Sequence, residues 1–351
     1  MSSPSPQAQG RQPLAPDPAG RVLVAGASGY AGALAADLVW LHPGLELASV
    51  TARTDAGTRL DDLYPQHPVP LVLGELDLDG IEAVDAAIVA YPHGASAPVV
   101  AALRGLGVKV VDLSADFRLR ELPLYERWYG EHGAPELLEG AVYGVPELHR
   151  ERIAEAELVA NPGCYPTASV LALAPLAAAG LIEDVVIDAK SGVSGAGRAA
   201  AAEMEIVKET DDTRPYRVAG HRHQPEIEQE LGALAGSGRL GSLTFVPHLM
   251  PYDQGELVSC YVRTTRPVTD DELRALYAER YAAEPFVALV DEPPGVAAVR
   301  ETNMCEVHAA LTPGGRVAAF GAIDNLWKGA ASQAIQNLNL MLGLPEGEGI
   351  S

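Results

Sequence analysis

The 351-residue chain carries 47 acidic against 25 basic residues, a formal charge of -22, and 48% of it is apolar. That balance opposes attraction to nucleic-acid phosphates or an anionic membrane surface, so a small molecule is the expected partner. The length exceeds what one hydrophobic core usually fills, and two domains are expected.

Residues 1–20, rich in Pro, Ser and Gln, lack the basic start and apolar centre of a secretory signal and read as a disordered tail. Next comes "RVLVAGASGYAGALAADLVWLHP", an apolar run, a turn punctuated by Gly26, Gly29 and Gly32, and helical periodicity through Leu34, Leu38 and Leu41. Glycines between a strand and a helix permit a tight turn and close approach of a pyrophosphate, which the helix N-terminus favours. A plain tight turn is the alternative. "ELASVTART", "AAIVAYP" and "KVVDLSAD" follow as short strand-like runs separated by crossover lengths. This alternation predicts a doubly wound parallel sheet, a Rossmann-type α/β domain.

The second strand ends in "VTARTDAG", presenting Arg53 and Thr54 where a basic residue would accept the 2′-phosphate of NADP and an acid the 2′-hydroxyl of NAD. Arg53 argues for NADP; Asp55 stands beside it.

Cys164, in "NPGCYPT", precedes an Ala- and Leu-rich run, and Pro166 suits a first helical turn. A helix start lowers a thiol pKa, so Cys164 is the candidate nucleophile and a structural cysteine the alternative. Cys260 and Cys305 lie in strand-like runs and read as structural. The cysteines have neither disulfide nor metal-site spacing, in keeping with a reducing, cytoplasmic setting and no metal. The run "VLALAPLAAAGLI" is broken by Pro175 and Gly180 and is too short to span a membrane.

Beyond the cysteine, "VVIDAKSGVSGAGR", "LTFVPHLMP", "GELVSCYVRTT" and "RVAAFGAID" read as longer strands of an antiparallel or mixed sheet in an α+β domain. "SGVSGAGR" offers backbone N–H groups and Arg198 for an anion, or is a flexible turn. In "GHRHQPEIEQEL", His221 and His223 are two apart, which does not place them on one helix face for a metal; acid–base work or helix-entry capping remain. The terminal "NLWKGAASQAIQNLNLMLGL" is an apolar-faced helix.

Taken in order from "GASGYAG" through "YPHG", "DLSADFRL", "YGVPEL", "NPGCYPT", "SGVSGAGR", "GHRHQPEIEQEL" and "FVPHLMP" to "AIDNLWKGAASQAIQNLNL", the chain resembles the N-acetyl-gamma-glutamyl-phosphate reductase family of the semialdehyde dehydrogenase superfamily. The resemblance implies an NADP-binding domain over 21–163, a catalytic and dimerisation domain over 164–324, a C-terminal helix over 325–351 returning to the first domain, and a homodimer or homotetramer. It implies Cys164 as nucleophile and His221 as acid–base, with His223 as rival and, like Arg118 and Arg198, a substrate contact. Gly26, Ser28, Gly29, Tyr30, Gly32, Arg53, Thr54, Ser191, Gly192 and Asn325 are implied to hold the cofactor. The implied reaction is NADPH-dependent reduction of N-acetyl-glutamyl 5-phosphate to the semialdehyde through a cysteine thioester, in arginine biosynthesis. "PHLMPYDQG" departs from the family pattern at Asp253 and Gln254, where Asn and Arg are common. Alternatives are a reductase of a carrier-protein-linked acyl phosphate and a non-catalytic NADPH-binding redox sensor.

Overall fold

A computed structural model describes residues 18–78, 81, 84–236 and 240–350; most of the expected tail lies outside the described residues. The first domain comprises β1 (Gly20–Ala25), α1 (Tyr30–Leu41), β2 (Leu45–Thr51), α2 (Leu60–Leu63), β3 (Ala86–Val89), α3 (Ala97–Gly105), β4 (Lys109–Asp112), α4 (Leu122–Tyr129), β5 (Val142–Tyr143), α5 (Pro146–Ala154) and β6 (Leu158–Ala160). Its strands form a six-stranded sheet in the order β2-β1-β3-β4-β6-β5, every pair parallel. Successive side chains of a strand point to opposite faces. Val22 and Val24 of β1 accordingly join Leu34 and Leu38 of α1 on one face, while Leu23 and Ala25 join Val100 and Leu103 of α3 on the other. Each such buried Leu or Val contributes about 1.5–3 kcal/mol. The alternation of strand and helix in the sequence predicts this doubly wound sheet.

The second domain begins with α6 (Cys164–Ala178) and continues through β7 (Ile182–Gly192), α7 (Ala201–Glu209), β8 (Arg214–Pro215), α8 (Gln224–Leu234), β9 (Ser242–Met250), β10 (Glu256–Thr264), α9 (Asp270–Tyr281), β11 (Val287–Leu289), α10 (Val296–Val299), β12 (Cys305–Leu311) and β13 (Val317–Ile323). The sheet is seven-stranded, ordered β11-β12-β13-β10-β7-β9-β8. It is mixed: β7 pairs with β9 and β11 with β12 in parallel, the remaining pairs antiparallel. The helix α6 is buried all round from Tyr165 to Ala177, its Leu171 and Leu173 sharing a core with Val258, Cys260 and Cys305. Those two cysteines are core side chains.

After β13 the chain passes a π-helical turn, Trp327–Ala331, into α11 (Ser332–Met341). Ile335 and Leu338 of α11 pack in the same cluster as Val22, Leu34 and Leu38, so the last helix lies on the first domain. Within the turn, a β-carbon at Gly329 would stand 2.7 Å from the Cys164 β-carbon. The terminal segment therefore passes directly against the start of α6.

Candidate active site

Gly26 has φ +90°, and a β-carbon there would stand 2.7 Å from the Ala90 carbonyl oxygen just beyond β3. A side chain at Gly32 would meet the Gly26 carbonyl oxygen at 2.3 Å, so this glycine lets α1 close onto the loop. Gly29, between them, has only the Gly26 oxygen near it, at 3.7 Å, and no side chain caps α1 there. The loop thus leaves room and first-turn N–H groups for an anion at the β1/β3 point where the strand order reverses. These residues fit a dinucleotide pyrophosphate.

At the end of β2, Arg53 and Thr54 are exposed, and the Thr54 hydroxyl donates to Asp55 at 2.9 Å. Arg198 lies over this loop: it donates to Asp55 Oδ2 at 2.8 Å and to the Ser28 carbonyl at 3.1 Å. Read from sequence as a substrate clamp, Arg198 is placed by the structure at the glycine loop and is not among the residues lining the cavity described next.

Tyr91 and Pro92, which follow Ala90, open a cavity of about 830 Å³ between the domains. It brings together Cys164, His221, His223, Arg118, Ser191 and Gly192. Its wall also carries Arg214, Arg217 and Arg222, while among the described residues no Asp or Glu lines it. In a chain of net charge -22 this is a local inversion of sign.

Cys164 is the first residue of α6, with Gly163 as its N-cap, and is partly exposed. Gly163 is fixed from behind: its N–H donates to Glu226 Oε2 at 3.2 Å, and the same buried carboxylate accepts from Tyr143 Oη at 3.1 Å and Arg118 Nη1 at 3.2 Å. Arg118 is further fastened to the Asn161 and Leu113 carbonyls, both at 2.8 Å. Glu226, legible in the sequence only as a helix-start residue, thereby ties the Cys164 loop to Arg118 at the cavity wall.

The helix start does not by itself make a thiolate. Burial pushes the Cys164 thiol well above its usual range and the Glu256 charge adds to this, outweighing the Tyr165 N–H and Arg118. The resting sulfur is a thiol, and the expectation of a preformed anion is corrected by desolvation.

His221 Nδ1 accepts the His223 backbone N–H at 3.2 Å, so its neutral ring carries the proton on Nε2. Burial, then the charges of His223 and Arg217, holds its pKa down to about 3. The His223 ring lies against Gly163, its Nδ1 is buried without a hydrogen-bond partner, and burial followed by Arg118 holds its pKa well below the ordinary value. Both rings are neutral at physiological pH, and their centroids are 4.9 Å apart.

Asn325 is buried outside the cavity lining, where it accepts from the Gly255 N–H at 2.7 Å and donates to Ser194 Oγ at 2.9 Å, joining two loops beside the site. Asp253 pairs with Lys208 at 2.9 Å, the Gln254 carbonyl accepts from Arg300 at 3.2 Å, and neither residue lines the cavity. Among the described residues, no group of His, Cys, Asp or Glu is placed to hold a metal ion, and no helix is long and apolar enough to cross a membrane.

The semialdehyde dehydrogenase NAD-binding domain model matches residues 21–156, and the dimerisation domain model of the same enzymes matches residues 164–325. A Dehalococcoides mccartyi protein named N-acetyl-gamma-glutamyl-phosphate reductase is 48% identical over 327 residues, covering 92% of this chain and 95% of its own. Proteins of that name from Moorella thermoacetica and Halorhodospira halophila are 47% and 46% identical, covering 92% and 93% of this chain and 95% and 96% of theirs. Among solved structures, aspartate semialdehyde dehydrogenase II from Vibrio cholerae aligns with a TM-score of 0.68 at 17% identity, over 92% of this chain and 98% of its own. The NADP-bound enzyme from Candida albicans gives a TM-score of 0.68 at 15% identity over the same shares, 92% and 98%; at such identities the likeness is one of fold. With both domains matched and nearly half its residues shared with these relatives along almost its full length, the chain is an oxidoreductase belonging to the N-acetyl-gamma-glutamyl-phosphate reductase family of semialdehyde dehydrogenases.

Proposed function

We propose that the chain reduces N-acetyl-glutamyl 5-phosphate to N-acetyl-glutamate 5-semialdehyde with release of phosphate, using NADPH, in arginine biosynthesis in the cytoplasm, as a homo-oligomer assembled through its second domain. The observation that carries this reading is a cysteine at a helix start in a cavity walled by Arg118, Arg214, Arg217 and Arg222 and, among the described residues, by no carboxylate. A substrate bearing both a carboxylate and a phosphate suits that wall, because arginine grips either group with paired N–H donors.

Cys164 attacks the acyl carbon, the C–O bond to phosphate breaks, and a thioester remains, dividing one hard reduction into two easier steps. A nicotinamide cofactor, when bound, would supply the hydride for reduction of the thioester. His221, neutral and protonated on Nε2, donates to the oxygen on which negative charge develops, alongside the N–H groups opening α6. Glu226 and Arg118 hold the cysteine loop at its station.

For the cofactor, Gly26, Ser28, Gly29, Tyr30 and Gly32 would surround the pyrophosphate and Ser191, Gly192 and Asn325 would border the nicotinamide end. Asp55 is engaged by Arg198, whereas Arg53 is exposed at the strand end, an arrangement suited to a 2′-phosphate. The reverse reaction tests the function: semialdehyde, phosphate and NADP should yield the reduced cofactor's absorbance, with aspartate semialdehyde and a carrier-linked aminoadipate semialdehyde far slower. Faster turnover of either competitor would overturn the substrate assignment.

A further inference from the structure

Arg198 stands in the second domain, in the short 3₁₀ turn Arg198–Ala200 that follows Gly197 at φ +79°, yet its guanidinium ends in the first. Its Nη1 donates to Asp55 Oδ2 at 2.8 Å and to the Ser28 carbonyl at 3.1 Å, and its Nη2 to Asp55 Oδ1 at 3.2 Å. One nitrogen serving both acceptors sets the Asp55 carboxylate, just beyond β2, beside the glycine loop. Both ends of this bridge are fastened. The Ala52 and Gly57 N–H groups pin the Asp55 loop to the Gly74 and Leu73 carbonyls at 2.9 and 2.8 Å, and the Ser28 carbonyl also accepts from Tyr64 Oη at 2.7 Å. On the other side, Ser194 Oγ donates to the Asp253 carbonyl at 2.6 Å and accepts from Asn325 Nδ2 at 2.9 Å, and the Gly197 N–H donates to the Ser194 carbonyl at 3.0 Å. The guanidinium thus joins two anchored loops of different domains.

An acid in the loop after the second strand accepts from the ribose 2′-hydroxyl of NAD and repels a 2′-phosphate. The Arg198 guanidinium, acting against burial, holds the Asp55 carboxyl below its ordinary range, so the carboxylate is ionised at neutral pH. Left alone, that charge would oppose the phosphate that Arg53, exposed at the strand end, is placed to receive. The paired hydrogen bonds from Arg198 cancel the charge and engage both carboxylate oxygens.

We propose that Arg198 is a specificity-determining residue for the cofactor that acts through Asp55: from the second domain it masks the carboxylate that would otherwise select NADH, and so lets the site take NADPH. Arg198 works by neutralising Asp55 and not by touching the 2′-phosphate. Mask and masked group belong to different domains, so cofactor choice depends on the seating of the second domain against the glycine loop.

The inference rests on the reading of the cofactor as NADPH. Its test measures Kd for NADPH and for NADH by nicotinamide fluorescence on the full-length wild type, R198A, D55N and R198A/D55N, with a thermal melt of each. R198A should weaken NADPH roughly 10-fold and leave NADH unchanged or tighter. D55N should bind NADPH as the wild type does, or more tightly. The double variant decides: with no carboxylate to mask, R198A/D55N should regain NADPH affinity to within about threefold of D55N. A double variant as weak as R198A would overturn the proposal, since Arg198 would then hold the phosphate itself. Equal loss of both cofactors in R198A would overturn it too, since Arg198 would only brace the domains. Should R198A fail to fold, R198Q removes the charge while keeping a donor and is read in the same way. A wild type that binds both cofactors equally would remove the NADPH reading itself, whereas a wild-type preference for NADPH that survives intact in R198A overturns the masking alone.

Discussion

The His223 ring lies directly against Gly163: a β-carbon at Gly163 would stand 2.5 Å from His223 Nε2. The residue before Cys164 must therefore lack a side chain for the imidazole to occupy its place. Gly163→Ala should force the ring or the cysteine loop aside and lower kcat by roughly 10²-fold, the scale on which a misplacement of about 1 Å acts on catalysis. Gly163 itself is extended and not left-handed, at φ -70°, so backbone strain does not enter. Steady-state kinetics beside a thermal melt checks this, and unchanged kcat would contradict it.

His221 should not titrate over the working pH range. Burial lowers its pKa to about 3, so the neutral ring predominates at every pH above roughly 4 and no activity limb near 6.5 belongs to it. Imidazole resonances followed by NMR should stay fixed for His221 from about pH 5 to 8. Replacing it by Asn should lower kcat by roughly 10²- to 10⁴-fold while leaving measurable turnover, as expected of one acid–base group.

At the glycine loop, Gly26→Ala places a β-carbon 2.7 Å from the Ala90 carbonyl at φ +90°, which L residues rarely adopt. A loss of about 1–3 kcal/mol in stability is expected, together with weakened NADPH binding. Denaturant melts and fluorescence titration measure the two effects separately. Tight NADPH binding by this variant would place the pyrophosphate elsewhere.

Arg53→Ala tests cofactor choice. The side chain is exposed, so stability should change by less than about 0.5 kcal/mol. The KM for NADPH should rise about tenfold, the cost of one charge-assisted contact, with that for NADH unchanged. Equal changes for both cofactors would remove the 2′-phosphate assignment.

What the sequence discloses here is what is local. The glycine loop, the helix beginning at Cys164 and the paired histidines are written in residues a few positions apart, where turn and helix-entry chemistry operate. The contacts that fix the site are not local. Glu226 meets the Gly163 N–H from 63 positions away, and Arg198 reaches Asp55 from 143. Glu256 shows the limit from the other side. Its strand is legible, but a strand pattern does not tell which residues border it across a sheet, nor that its carboxylate is fully buried. The resting state of the sulfur was hidden for the same reason, since desolvation is a property of the assembled cavity and not of the helix start.

The covalent step is tested most directly by mixing the full-length enzyme with N-acetyl-glutamyl phosphate in the absence of NADPH, quenching in acid and mapping the peptides by mass. One N-acetyl-glutamyl group should be found on the Cys164 peptide, accompanied by stoichiometric phosphate, and should leave as the semialdehyde when NADPH is added before the quench. A chain that turns the substrate over yet never carries the acyl group, or carries it on another residue, would contradict the account.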